Sequence, residues 1–180
     1  MIDRVPGEGP YARLEREQRW VLAGLPPGVD QPVSITDLYI AGTRLRLRRM
    51  AQGDTVVRKL AQKVRPDGAG PSLVKLTNLY LSEEEYAVLA VLGGRWLTKI
   101  RWRWWDAGRH LAVDEFGGPL TGLVLAETEL GPDEPRIEAP ALAVAEVTDD
   151  DRFSGGALSA TTSAEGRALL AETTGDQPSR

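Results

Sequence analysis

The chain has 180 residues, 42% of them hydrophobic, with 19 Gly and 12 Pro, which suits one domain or one domain with a tail. With no Cys and a single His, it can build no thiolate nucleophile, no Cys-type zinc site, no redox pair and no site that needs two imidazoles, so its chemistry must come from carboxylates, Arg, Lys and hydroxyls. The formal charge of -4 divides into -6 over residues 131–180 and +2 over residues 1–130, and residues 44–103 hold 13 bases against five acids. That division suggests a confined basic site for a polyanion rather than a surface made for long nucleic acid.

Residues 1–11 read as an extension without an apolar run of signal-peptide length, and no window reaches about 18 uninterrupted apolar residues, so a cytoplasmic protein with no membrane partner is expected. Residues 12–22, ARLEREQRWVL, alternate as a strand: Leu14, Arg16, Gln18 and Trp20 lie on one face, Glu15, Glu17 and Arg19 on the other. After a Pro/Gly loop, residues 34–50 give a second extended stretch, bent at Ala41 and Gly42, with Arg44, Arg46 and Arg48 on one face. A turn at Gln52, Gly53 and Asp54 leads into TVVRKLAQKV, where Lys59 and Lys63 share a face. SLVKLTNLYL is another strand. Ser82, with Glu85 three residues on, forms a capping-box pattern that opens a helix over about 83–92, ended by Gly93 and Gly94. RWLTKIRWRWW puts Lys99, Arg101 and Arg103 on one face. HLAVDEFGG and LTGLVLAETEL are two further strands, carrying Asp114, Glu127 and Glu129, and a last strand is expected after Asp149, Asp150 and Asp151. Residues 161–180 read as a tail, partly disordered.

Seven or eight strands with one short helix predict a mainly β fold of the α+β kind, most economically a closed antiparallel barrel. Each strand carries a charged face beside an apolar one. If helices and loops cover the apolar faces from outside, the charged faces line a wet interior.

Two candidate sets follow. The pairs Glu15/Glu17 and Glu127/Glu129, with Asp114, would repel one another as anions and need a compensating cation; oxygen ligands without His or Cys favour Mg²⁺ or Mn²⁺. Arg46, Arg48, Lys63, Lys99 and Arg101, with Arg19 continuing the Glu15/Glu17 face, would hold phosphate oxygens. Two plainer readings compete: each E-x-E pair is the solvent face of a strand, or the acids and bases neutralise each other as cross-strand pairs.

The segments LEREQRWVL, TRLRLRR, LAQK, LTKIRWRW, VDEFGGPLTGLVLAETEL and DDDRFSGGALS, in this order over residues 12–160, resemble the CYTH superfamily, the triphosphate tunnel metalloenzymes. LEREQR looks like a variant of that family's ExExK signature. The resemblance implies a closed eight-stranded antiparallel tunnel with a few short flanking helices. It also implies a divalent-metal-dependent hydrolase of triphosphate compounds, inorganic triphosphate first among them. On this resemblance Glu15, Glu17, Asp114, Glu127 and Glu129 are the Mg²⁺ or Mn²⁺ ligands; Arg19, Arg46, Arg48, Lys63, Lys99 and Arg101 bind substrate; and Arg19 and Glu127 stand at the chemistry. A polyphosphate- or nucleoside-triphosphate-binding module without efficient turnover is the alternative, and an adenylate cyclase the third option.

The chain departs from the family at Arg19, where the signature has Lys, at Leu76, Asn78 and Ala112, where acids are frequent, and at Ser154, Gly155 and Gly156, which replace lysines. Four other features read as structural. They are His110, the tryptophans Trp96, Trp102, Trp104 and Trp105 covering a barrel exterior, Glu83 to Glu85 in the first turn of a helix, and a solvated turn at residues 149–151.

Overall fold

In the computed structural model, which describes residues 6–175, nine antiparallel strands form one sheet. They are β1 (Arg13–Leu22), β2 (Asp30–Ile40), β3 (Leu45–Gln52), β4 (Thr55–Val64), β5 (Leu73–Tyr80), β6 (Gly94–Asp106), β7 (Arg109–Phe116), β8 (Val124–Glu129) and β9 (Ala143–Glu146). The order is β5-β4-β3-β2-β6-β7-β8-β1-β9, and β1 also pairs with β5, so eight strands close into the expected barrel and β9 is added outside the circuit. Closure depends on a division of labour along β1. Its first half, Arg13 to Arg16, pairs with β5, and Glu17 to Val21 pair with β8.

Turn chemistry sets the ladders. Gln52 faces Thr55 across a two-residue loop, as the Gly53-Asp54 pair predicted. The β6–β7 hairpin closes through Ala107 and Gly108, both with positive φ (46° and 78°), a mirror-type turn that suits the right-handed twist of the strands.

The apolar faces point outward and are covered in two places, while Leu14, Leu79, Trp96 and Ile100 on the same faces stay exposed. Leu38, Ile40 and Leu47 pack beneath Tyr86 and Leu89 of α1 (Glu83–Ala90). Ser82 caps this helix, accepting from the Glu85 backbone N–H at 3.2 Å while the Glu85 carboxylate accepts from the Ser82 N–H at 2.7 Å. On the opposite side Trp20, Leu22, Trp104, Leu111, Val113, Val124 and Ala126 pack with Ile137, which belongs to a strap following β8. Gln18 pins that strap through both of its amide atoms, donating to the Ile137 carbonyl at 3.1 Å and accepting from its N–H at 2.9 Å.

A third apolar cluster lies at one end of the interior. Val21, Leu97, Phe116 and Leu125 continue the inward faces of β1, β6, β7 and β8 and meet Phe153, Leu158 and Leu169. These three come from a 3₁₀ turn (Asp151–Phe153), α2 (Gly155–Leu158) and α3 (Ser163–Thr174). The barrel interior is thus polar along most of its length and apolar at its floor.

Two expectations are corrected. The last strand does not follow residues 149–151; β9 precedes them, and a 3₁₀ turn and α2 occupy the stretch, because Asp150 and Ser154 cap helical turns there. Within the expected tail, residues 163–174 form α3, capped by Thr162 and Glu165 and stopped by Gly175 in the left-handed region (φ 72°), with Leu169 in the core. The expectations for residues 1–5 and 176–180 lie outside the described residues. Among the described residues no helix is long and apolar enough to cross a membrane.

Candidate functional site: a cationic barrel interior

Because side chains alternate along a strand, one face of each of β1 to β8 enters the barrel. The cavity they enclose is about 410 Å³ and is lined by nine cations (Arg19, Arg44, Arg46, Arg48, Lys59, Lys63, Arg65, Lys99, Arg101) but by only three carboxylates (Glu15, Glu17, Glu127). Tyr39 and the Ser154-Gly155-Gly156 stretch complete one part of its wall.

One wall carries a continuous chain of alternating charge. Asp114, fully buried, accepts two hydrogen bonds from Arg101, from Nε and Nη2, both at 2.7 Å, and one from Lys99. Arg101 Nη2 also donates to Glu127 Oε2 at 2.8 Å. The other Glu127 oxygen accepts from Arg19 Nε at 3.0 Å, and Arg19 Nη2 donates to Glu17. Burial by itself would raise the Asp114 carboxyl, yet Arg101 and Lys99 overcome it and hold the group below the usual carboxylate range. Glu127 is held down the same way, chiefly by Arg19 and then Arg101, against the cost of burial. Burial lowers Lys99 despite the attraction of Asp114, whereas Arg19, also opposed by burial, is raised by Glu127 and Glu17.

The facing wall is built differently. Asp37 accepts from Arg48 Nε and Nη2, both at 2.6 Å, and lies 3.8 Å from Arg46 Nε. One buried carboxylate therefore stands against two buried guanidinium groups, and Arg46 Nε has no hydrogen-bond partner among the described residues. Lys59 adds a third positive charge; burial first, and then Arg48 and Arg46, push its pKa down to about 8. At the rim, Lys63 lies 3.4 Å from Glu15.

Of the residues expected from the sequence, Glu15, Glu17, Arg19, Arg46, Arg48, Lys63, Lys99, Arg101 and Glu127 all line this one cavity. Asp114 sits directly behind it, bonded to Lys99 and Arg101. Glu129 is not brought in: it is exposed at the last position of β8, opposite Glu17 in the ladder, and outside the lining. Asp37, Tyr39 and Lys59 were missed as site residues. The signal for Asp37 was its place between Ile35 and Tyr39 on an inward face, opposite Arg48.

The secondary features are structural. Glu83 pairs with Arg58, Asp149 with Arg136, Asp151 with Arg65, and Asp150 with Arg152, while His110 rests edge-on against Trp105. Trp104 is buried in the outer cluster, and Trp102 Nε1 donates to Glu115 at 3.1 Å.

Among the described residues no three His, Cys, Asp or Glu side chains are grouped as a cage for a metal ion. Two carboxylates do converge, Glu17 and Glu127, on the single guanidinium of Arg19. Mg²⁺ is commonly held by one or two carboxylates plus substrate phosphates rather than by an all-protein cage, so this donor set fits an ion that arrives on a phosphate chain.

No family model matches the chain, and no curated protein matches it. Among solved structures, it is similar to the crystal structure of the hypothetical protein NE1496, with 24% identity and a TM-score of 0.54 over 82% of this chain and 99% of that one. It is likewise similar to the crystal structure of the inorganic triphosphatase NE1496, with 24% identity and a TM-score of 0.52 over 81% of this chain and 93% of that one. What the chain shares with these structures is its fold, a closed eight-stranded antiparallel barrel of the kind the resemblance implied.

Proposed function

We propose that the barrel binds a linear triphosphate compound, inorganic triphosphate in the first instance, and hydrolyses its phosphoanhydride bond with Mg²⁺ or Mn²⁺. The observation that carries this reading is the surplus of cations, nine against three carboxylates, inside one enclosed cavity. An anionic chain is the ligand that satisfies such a lining. The fold's likeness to a structure described as an inorganic triphosphatase supports the choice of substrate.

In this reading Arg46, Arg48, Lys59 and Lys63 grip one end of the chain, with Asp37 fixing Arg48 in place. Arg19, Lys99 and Arg101 hold the other end, oriented by Glu17, Glu127 and Asp114. Phosphoryl transfer asks a protein mainly for position and positive charge, and both are prearranged here. A water oxygen bonds to the terminal phosphorus as the P–O–P bond breaks, the electron pair leaves with the bridging oxygen, and the proton passes to the released phosphates. Both Glu127 oxygens already accept from guanidinium groups, so this carboxylate acts by holding Arg19 and Arg101 rather than by taking a proton. A divalent ion would be held by Glu17 and Glu127, which Arg19 bridges, with Glu15 nearby in the lining, and would supply Lewis-acid charge at the terminal phosphate; Asp114, behind the wall, and Glu129, outside the lining, are the other ligands expected from the sequence.

The test is phosphate release from tripolyphosphate, thiamine triphosphate and ATP with Mg²⁺ or Mn²⁺, for the wild type and for Glu127→Gln. Release from tripolyphosphate, reduced about a hundredfold or more in the variant, is expected. Binding without release makes the protein a polyphosphate-binding module. Cyclic product from ATP makes it a cyclase.

A further inference from the structure

Arg19 joins two carboxylates and keeps one donor spare. Its Nε is 3.0 Å from Glu127 Oε1, its Nη2 is on Glu17, and its buried Nη1 has no hydrogen-bond partner among the described residues. A guanidinium cannot lose its proton in a protein, so Glu17 and Glu127 have a permanent cation between them. On β3, across the barrel, Arg46 Nε is a second buried donor without a partner. Both residues line the same cavity. Buried donors are costly when unsatisfied, and two in one lining mark where acceptors belong.

We propose that the tunnel binds its polyphosphate as the free anion, without a divalent ion, because Arg19 already supplies the charge between Glu17 and Glu127 and keeps Nη1 to donate to a phosphate oxygen while Arg46 Nε donates to another. This rests on the polyphosphate reading above and deepens it. The divalent ion is then needed for cleavage and not for binding. A lysine at position 19 could not do the same, since one ammonium point charge replaces a planar group that reaches both carboxylates and a ligand at once.

The experiment is calorimetric titration of tripolyphosphate into the full chain, once in EDTA and once in Mg²⁺, for the wild type and Arg19→Lys. The wild type is expected to bind in EDTA with an affinity within about tenfold of that in Mg²⁺. Arg19→Lys is expected to bind about ten- to a hundredfold more weakly in EDTA, with Mg²⁺ restoring part of the loss. Wild-type binding seen only with Mg²⁺ overturns the inference and leaves the polyphosphate reading standing. No binding in either buffer overturns both. Titration of the phosphate-free wild type with Mn²⁺, followed by electron paramagnetic resonance, gives a second readout that needs no variant: weak uptake that tightens when tripolyphosphate is added is expected, and tight uptake by the protein alone counts against Arg19 as the resident cation.

Discussion

Arg48 meets Asp37 across the β2–β3 ladder through two parallel hydrogen bonds, Nε to Oδ1 and Nη2 to Oδ2, each 2.6 Å. Both side chains are buried, so removing one charge strands the other away from water. Breaking a buried ion pair from one side typically costs about 3–5 kcal/mol. Asp37→Asn should therefore lower the urea midpoint strongly. Arg103 and Asp30 make the same fork in the open, at 2.8 and 2.7 Å, and there Asp30→Asn should leave the midpoint unchanged. Equal effects in the two variants would show that burial is not what gives the Asp37 pair its weight.

Acid should weaken the fold through the same groups. Asp37 and Asp114 are each pushed up by burial but brought below the ordinary carboxylate value by Arg48 and by Arg101 with Lys99, respectively. A depressed carboxyl stabilises the folded state above its unfolded pKa, about 3.9, and that contribution is lost as pH falls through the folded value. Urea midpoints should hold steady near neutrality and drop below about pH 4. Asp37→Asn, already lacking one of these groups, should show a shallower decline.

Lys59 bears on binding in the alkaline range. Burial, followed by the neighbouring Arg48 and Arg46, lowers its pKa to about 8, so the free protein releases this proton before an ordinary lysine would. A phosphate beside it favours the charged form. Affinity for tripolyphosphate should thus fall as pH rises through 8, with proton uptake on binding above that point. Lys59→Arg, which stays charged, should lose this part of the pH dependence. Identical profiles for the two proteins would remove Lys59 from the binding lining.

Gly155 lies against Tyr39 so closely that an added Cβ would sit 2.0 Å from the phenol oxygen and 3.1 Å from Cζ. Tyr39 stands between the cavity and α2, so making room for the Cβ displaces its phenol end. Overpacking of this kind costs about 1–3 kcal/mol, and Gly155→Ala should show it in thermal melting. Adding Tyr39→Phe removes the nearer clash and should return part of the loss, so the two substitutions should be non-additive.

The barrel was legible because the period-two alternation is strong: Glu15, Glu17 and Arg19, or Lys99 and Arg101, can share a face only on a strand. The inward direction of those faces followed from the apolar residues opposite them. Pairing between distant strands was not legible. Nothing in the order of Arg19, Arg101 and Glu127 says that one glutamate receives both guanidinium groups, because that contact depends on the register of β1 on β8 and on Arg101 reaching β8 across β7. Asp37 escaped notice for a related reason, since a lone acid on an apolar strand declares its role only when Arg48 comes opposite. Glu129 shows the converse: it keeps the E-x-E spacing with Glu127, but β8 ends there and the side chain is left in solvent.

The C-terminal stretch is where local chemistry was present and outweighed by composition. Thr162 and Glu165 form a capping box and Gly175 a left-handed stop, a complete set of helix boundaries in a segment otherwise biased to Ser, Thr, Gly and Ala. Between them Leu169 is 8% exposed and packs into the cluster that floors the barrel, alongside Phe153 and Leu158. α3 is therefore part of the domain and not an appendage, and the floor beneath Lys99 depends on it: the Lys99 ammonium lies 5.3 Å from the ring centre of Phe116, a member of the same cluster. Truncating a buried leucine to alanine costs about 2–5 kcal/mol. Leu169→Ala should lower the melting temperature accordingly, and removal of residues 161–180 should lower it further. A truncated protein that melts with the full chain would return this segment to the status of a tail.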